Sequence, residues 1–534
     1  MKDHRALSRA VRMAYSKGCE DETLEPLVLE GAQGKSPGRI GRGHSVIFYN
    51  IRGEREVELT RSLTESEFSE FTVVPDLDLT FATMIEYSKT LNVKAAFPPE
   101  NVVSDTLGEV LAAGGLKQAR ITEAEKAVHL CYFLNGKKND SVRNEERIII
   151  PTRKDVALFD EAPEMSIKGI TGAVLEKIDD PECDFVLVNF PNVDVVGHIE
   201  NETAVIQAVE TVDEYTGQVV DAALKKGMSV VITADHGTVE KWLYPDGAID
   251  TGHTDSPVPF ILISDDCEVT LRHGGELSDI APTILELFGI PQSQMMMGQS
   301  LLKSFNRSRH GHKKRILLLI LDGWGIQEKS ASNLISRAAT PVMDRLSASY
   351  PFTALKASGE AVGLPAGTVG NSEVGHLHIG AGRRIYSDRV RINRAIADGS
   401  FFANAAFLST IRAAKERRVP LHLMGIVSFF SSHGSVNHLL ALLEMARREG
   451  VQDVFIHAML GRRGEQPESG ANYIELIENK TVEMGVGRVV SVIGRYWSMD
   501  REENWDRIEK TYRMLVWGEG KHISEDDRYE NQGQ

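Results

Sequence analysis

Several short apolar runs in this chain end in aspartate and histidine. DFVLVNFPNVDVVGH sets Asp194 and His198 four residues apart, just beyond one such run. If that segment turns helically, both side chains leave from one face. VVITADHG ends in Asp235 and His236, ILLLILDGWG runs into Asp322, and TGHTDSPVPF brings His253 just ahead of another apolar run. Three carboxylates and three imidazoles supply oxygen and nitrogen donors without thiolates, a mixture suited to Mn²⁺, Zn²⁺ or Mg²⁺. A pair of such ions is the usual device for in-line displacement at phosphorus. One Asp-His at a strand end is more often a hydrogen-bonding pair than a ligand set, but several in one chain are hard to explain that way. Ser372 follows in GTVGNSEVGHLHIGAGR, in a glycine-rich stretch. At the opening of a helix, free backbone N–H groups would favour a phosphate there. A metal pair nearby would lower the hydroxyl's pKa and make Ser372 a nucleophile.

Such ligands converge when they sit beyond the carboxyl ends of neighbouring strands. The chain supplies the material, because short apolar runs alternate with amphipathic stretches throughout, the pattern of an α/β protein. Strands are predicted at 45–49, 185–189, 229–233, 259–263, 316–321 and 454–457. Helices are predicted at 204–224, 277–288 and 439–448, where apolar residues recur at three and four. The segment 298–314, GQSLLKSFNRSRHGHKK, is polar and basic and reads as an exposed connector; the acidic stretch 524–534 reads as a fraying end. The glycine-rich 38–43 precedes the run SVIFYN and does not follow one, so it fails the context of a dinucleotide loop.

A chain of 534 residues exceeds one ordinary core, so two or more domains are expected. Its 76 acidic against 60 basic residues, a net charge of −16, argue against a nucleic-acid binder. Cys19, Cys131, Cys183 and Cys267 are scattered singly and read as buried free thiols of a reducing compartment. The charged N-terminal stretch has no apolar core of a signal peptide. The longest apolar run, 316–321, falls far short of the roughly 20 residues that span a bilayer. A cytoplasmic protein without membrane contact is the expectation.

Taken together, LDGWG, GNSEVGHLHIGAGR, the Asp194–His198 segment, TADHG and GHTDSPVP resemble the signature stretches of the cofactor-independent phosphoglycerate mutases, in the alkaline phosphatase superfamily. FYNIRGER at 48–55, AAFPPEN at 95–101, RITEAEKAVH at 120–129 and GRYWSMDR at 494–501 extend the resemblance over nearly the whole chain. Their order is rotated relative to the family, in which LDGWG lies near the N-terminus. The resemblance therefore implies a circularly permuted α/β protein. A continuous alkaline-phosphatase-like metal domain would occupy 97–382. A smaller α/β transferase domain would be built from 1–96 and 383–534, with 298–314 joining the ancestral termini.

The resemblance further implies one metal on Asp194, His198 and His253, and a second on Asp322, Ser372, Asp235 and His236. The ions would be Mn²⁺ foremost, with Zn²⁺, Co²⁺ or Mg²⁺ as alternatives. It implies that Lys126 contacts the transferring phosphoryl group, and that Arg52, Arg55, Arg495, Arg501, His433 and Arg463 hold a small phosphorylated acid. Arginine suits that task because its planar fork pairs two oxygens at once. The implied activity is interconversion of 3-phosphoglycerate and 2-phosphoglycerate through a phosphoserine, by a monomer. FFSSHGS at 429–435 and GRRGEQP at 461–467 depart from the family pattern, and Gly464 stands where the family has an aspartate beside the substrate. A divergent mutase or phosphatase for another phosphorylated or phosphonylated acid is the alternative this raises. An inactive binding paralogue is a further one.

Overall fold

The computed structural model describes residues 4–31, 36–99, 103–264, 269–305, 314–429, 431–461 and 468–525. The chain divides into two compact units, one of Met1–Pro99 with Asp388–Gln534 and the other of Glu100–Ser387. Each has its own eight-stranded sheet and its own apolar core.

In the second unit the sheet runs Gly275–Glu276, Phe352–Lys356, Val258–Ile263, Ser229–Thr233, Ile316–Leu321, Phe185–Phe190, Gln118–Glu123 and Glu145–Ile150. Strand Ile316–Leu321 lies at the centre, parallel to both neighbours, with Ile316 opposite Phe185 on one side and Ser229 on the other. All six of its residues are fully buried. That explains why ILLLIL is a continuous apolar run and does not alternate: a strand covered on both faces has no polar side. Each of these side chains gains about 2 kcal/mol by leaving water. Helix Glu202–Lys225 starts at Asn201, whose side chain accepts from Ala204 N–H. It packs on Ile167–Asp179 and Pro341–Ser349.

The first unit's sheet runs Lys521–Ile523, Leu27–Leu29, Arg488–Gly494, Val454–Leu460, Leu421–Ile426, Ser45–Phe48, Thr80–Ile85 and Lys94–Phe97. All pairings are parallel except that of Leu27–Leu29 with Arg488–Gly494. A row of histidines crosses this sheet. His422 Nε2 lies 2.9 Å from His44 Nδ1, His457 Nε2 lies 3.0 Å from His422 Nδ1, and Ser491 Oγ lies 2.8 Å from His457 Nδ1. Gly41 N–H donates to His44 Nδ1, so that nitrogen is an acceptor. Each ring in turn then carries its proton on Nε2, and the row is neutral.

The predicted strands and helices form, with ends shifted by a few residues. The helix expected over 277–288 begins as a 3₁₀ turn, Leu277–Asp279, and becomes α-helical at Ile280–Phe288. The segment 298–314 is not simply an exposed connector. Leu301 is fully buried, and Leu302–Phe305 pairs antiparallel with Val269–Leu271. Residues 306–313 and 526–534 lie outside the described residues. Of the cysteines, Cys183 is buried, Cys131 is half-buried and Cys19 is exposed; Cys267 lies outside the described residues. Among those residues, no helix is long and apolar enough to cross a membrane.

Candidate metal centre

Three adjacent strands of the second unit deliver the acidic groups. Asp322 follows Leu321 directly, Asp235 comes two residues after Ser229–Thr233, and Asp194 sits on the short helix Asn192–Gly197 beyond Phe185–Phe190. Asp194 N–H donates to the Asp322 carbonyl at 3.1 Å, which locks two of these loops together. Their approach requires Gly323. It has φ +82°, and a Cβ there would stand 2.9 Å from the backbone nitrogen of Asp194. Gly375 does the same for the helix Ser372–Ala381, since a Cβ at this position would lie 2.6 Å from the Asp235 carbonyl oxygen. Asn371 caps that helix by accepting from Val374 N–H at 3.0 Å, placing Ser372 in its first turn.

Around Asp194, the His198 and His253 Nε2 atoms lie 3.3 and 3.1 Å from Oδ1 and 3.1 Å from each other. Each histidine donates Nδ1–H to a carbonyl, His198 to Thr251 at 2.7 Å and His253 to Gly370 at 3.1 Å. A neutral ring with its proton on Nδ1 presents a lone pair at Nε2. Two lone pairs and a carboxylate oxygen therefore face one point, an arrangement that calls for a cation.

Around Ser372, His236 Nδ1 faces the Gly237 carbonyl and its Nε2 is 3.0 Å from Ser372 Oγ. The same Nε2 is 3.5 Å from both Asp322 Oδ1 and Asp235 Oδ2. Asp235 Oδ2 is buried without a hydrogen-bond partner, and an orphaned buried carboxylate oxygen is costly unless a cation meets it. The donors thus fit divalent metal, gathering as Asp194, His198 and His253, as Asp194, His236 and Asp322, and as Asp235, Asp322 and His376. Lys126 lies between the sets. Its buried ammonium donates to Asp194 Oδ2 at 2.6 Å, Asp322 Oδ1 at 2.8 Å and Ser372 Oγ at 2.6 Å. Burial opposes that charge, but Asp322, Asp194 and Asp235 outweigh burial and hold it above its ordinary pKa. The same surplus of carboxylates raises His236 to about 10 against its desolvation, through Asp235 and Asp194. Lys126 and a protonated His236 together still do not neutralise three aspartates, so the site is short of positive charge.

The eight residues of this centre foreseen from spacing or from the family resemblance come together in the second unit. The rest of the foreseen set belongs to the first unit. Arg52 and Arg501 share Glu54, at 3.3 and 2.9 Å, and Arg55 donates to the Met499 carbonyl at 3.0 Å. His433 is buried with Nδ1 3.5 Å from Glu56 Oε1, and its carbonyl accepts from Ile51 N–H. Arg495 faces Glu22 at 3.7 Å. Arg463 lies outside the described residues. Sequence reasoning missed Glu56, Asn189 and His376. Asn189 did leave a signal, as the polar residue in the otherwise apolar strand FVLVNF.

Residues 29–292 match the profile of the Metalloenzyme superfamily, and residues 392–532 match that of the BPG-independent PGAM N-terminus. A 2,3-bisphosphoglycerate-independent phosphoglycerate mutase of Syntrophotalea carbinolica is 41% identical over 295 residues, covering 55% of this chain and 57% of the relative. That of Moorella thermoacetica is 50% identical over 209 residues, 39% of this chain and 41% of its own. In both profile matches and curated relatives, the chain is similar to the cofactor-independent phosphoglycerate mutases. Each alignment spans about half the length of these curated relatives or less. Among solved structures, the Leishmania mexicana phosphoglycerate mutase crystallised at low cobalt concentration is 27% identical, with a TM-score of 0.35 over 51% of this chain and 53% of that one. The architecture is an alkaline-phosphatase-like metalloenzyme domain with a second α/β domain of the mutase N-terminal type.

Proposed function

We propose that this chain interconverts 3-phosphoglycerate and 2-phosphoglycerate through a phosphoserine on Ser372. The observation that carries the reading is the convergence of Lys126 Nζ, His236 Nε2 and Asp322 Oδ1 on Ser372 Oγ, with the Asp194–His198–His253 cluster adjoining it. The activity for which the relatives are named supplies the substrate. Two divalent ions, Mn²⁺ foremost, would supply Lewis-acid stabilisation of the charge on the transferring oxygens. The Lys126 ammonium holds Ser372 Oγ in its deprotonated form as Oγ bonds to phosphorus and the bond from phosphorus to the departing substrate oxygen breaks. Return transfer to the neighbouring hydroxyl restores Ser372. The proton gained by the first oxygen balances the one lost by the second. Positioning and fixed charge do most of the work in such transfers. Arg52, Arg55, Arg495 and Arg501, with His433 and Arg463, would bind the substrate's anionic groups.

We further read the chain as circularly permuted, with the second unit as metal domain and the first as transferase domain. In support, a profile described as an N-terminus matches residues 392–532, near this chain's C-terminal end. Every proposed metal ligand comes from one unit of one chain, which favours a monomer as the active species. A cytoplasmic setting suits the scattered free thiols.

The test is purified protein with Mn²⁺ and 3-phosphoglycerate in an enolase-coupled assay, beside Ser372→Ala. Turnover by the wild type and its loss by at least about 10³-fold in the variant is the expected result. Equal activity in the two would end the phosphoserine reading.

A further inference from the structure

We propose that His376 and Asn189 are positioning residues that align Asp322 with Ser372, and that His376 is not itself a metal ligand. The inference rests on the metal reading above and goes beyond it. By distance alone His376 could be a ligand, since it clusters with Asp235 and Asp322 and its Nδ1 lies 3.2 Å from Asp235 Oδ2. The hydrogen bonds decide otherwise. His376 Nδ1 lies 2.9 Å from the carbonyl oxygen of Ser372, one helical turn earlier. A carbonyl only accepts, so Nδ1 carries the proton and has no lone pair for an ion. The other nitrogen, Nε2, faces Asn189 Nδ2 at 3.1 Å and accepts from it.

Asn189 continues the chain. Its second N–H donates to Asp322 Oδ2 at 2.7 Å, and its Oδ1 accepts from Thr122 Oγ1 at 3.3 Å. Every polar atom of the amide is therefore in use, and a flipped amide would set two acceptors against each other. Thr122, Asn189, Asp322 and His376 are all fully buried, so water cannot substitute for a missing partner. The chain joins strand Gln118–Glu123, strand Phe185–Phe190, the end of Ile316–Leu321 and the helix that carries Ser372. Its effect on Asp322 is specific. Oδ2 is held by Asn189, which leaves Oδ1, facing Lys126 at 2.8 Å and Ser372 Oγ at 3.3 Å, as the ligand atom. Supporting hydrogen bonds of this kind typically change metal affinity by about 10–100-fold.

The experiment is calorimetric titration of Mn²⁺ into metal-stripped wild type, Asn189→Ala, His376→Ala and the double variant, with thermal melts of the stripped proteins as the folding control. We expect an unchanged number of bound ions, about tenfold weaker binding in each single variant, and little further loss in the double, because one chain is broken only once. Loss of a bound ion in His376→Ala would make His376 a ligand and overturn the proposal. Fully additive losses, or none, would overturn it too. If His376→Ala gives no cooperative melt, Thr122→Val replaces it in the cycle with Asn189→Ala under the same criteria. A wild type that binds no Mn²⁺ would remove the metal reading and this inference with it. Wild-type binding that all the variants share would sink the inference alone.

Discussion

Acidification should weaken the first unit through its histidine row, and His457 allows the size of the effect to be worked out. Its imidazole is fully buried, and desolvation pushes its pKa down to about 3. His422, also buried and facing His457 and His44, is pushed well below its ordinary value, and burial lowers His44 as well. Between pH 3 and the ordinary value near 6.5, the unfolded chain binds a proton at His457 that the folded chain refuses. Stability is therefore fully present above about pH 6.5 and is lost as pH falls. For one such group the loss from pH 7 to pH 5 is about 2 kcal/mol. Glu478 acts with the opposite sign. Burial raises its carboxyl to about 7 despite the N–H groups of Leu7 and Ser8 that it accepts. The folded state then keeps a proton that the unfolded state has released above about pH 4.5. The same acidification returns about 2 kcal/mol from Glu478, so a raw pH–stability curve would hide both effects. The decisive comparison is wild type against His457→Gln in urea unfolding, followed by tryptophan fluorescence at pH 7, 6 and 5. The variant is expected to be less stable at pH 7, with a gap that narrows by about 2 kcal/mol at pH 5, because only the wild type carries the refused proton. A gap that stays constant across this range would refute the reasoning.

Two further outcomes follow from the metal centre. Lys126→Met removes a cation from among three carboxylates, so it should bind Mn²⁺ at least as tightly as wild type in calorimetry while losing turnover by about 10²-fold or more. Dialysis against a chelator should abolish turnover, with recovery on adding Mn²⁺, and should lower the melting temperature. An ion present at 100 times its Kd contributes about 2.7 kcal/mol to the folded state.

The aspartates and histidines of the proposed metal sites were legible because they follow or precede apolar runs that read as buried strands, and strand ends are where side chains of neighbouring strands meet. Asp194, Asp235 and Asp322 were visible on that ground alone. Lys126 was not: nothing in RITEAEKAVH ties it to residues 68 and 196 positions away, and only the likeness to a known family marked it. The histidine row was hidden for a related reason. His44, His422 and His457 belong to different strands or their edges, and alternation along one strand says nothing about which strand lies beside it. Their contact depends on the order Val454–Leu460, Leu421–Ile426, Ser45–Phe48, which is fixed by crossovers. The strand Leu302–Phe305 was overlooked because it lies in a largely polar, basic stretch and its partner is a short strand about thirty residues earlier.

The arrangement of the centre also constrains how it can form. Asp194, His198 and His253 all precede residue 254, and the contacts that join them need no later segment except the Gly370 carbonyl that holds His253. The Ser372 side of the centre needs Asp322 and the helix Ser372–Ala381, both of which follow the central strand Ile316–Leu321. That strand inserts between Phe185–Phe190 and Ser229–Thr233, which contact each other only through it in the sheet. Parallel pairing at such sequence separation closes long loops before any contact rewards them. Until Ile316–Leu321 docks, Lys126 lacks two of its three acceptors, Asp322 and Ser372. The strand with the most continuous apolar character is therefore the one on which both the core and the charge arrangement wait. The full burial of its side chains supplies the driving force that brings three carboxylates together against their mutual repulsion.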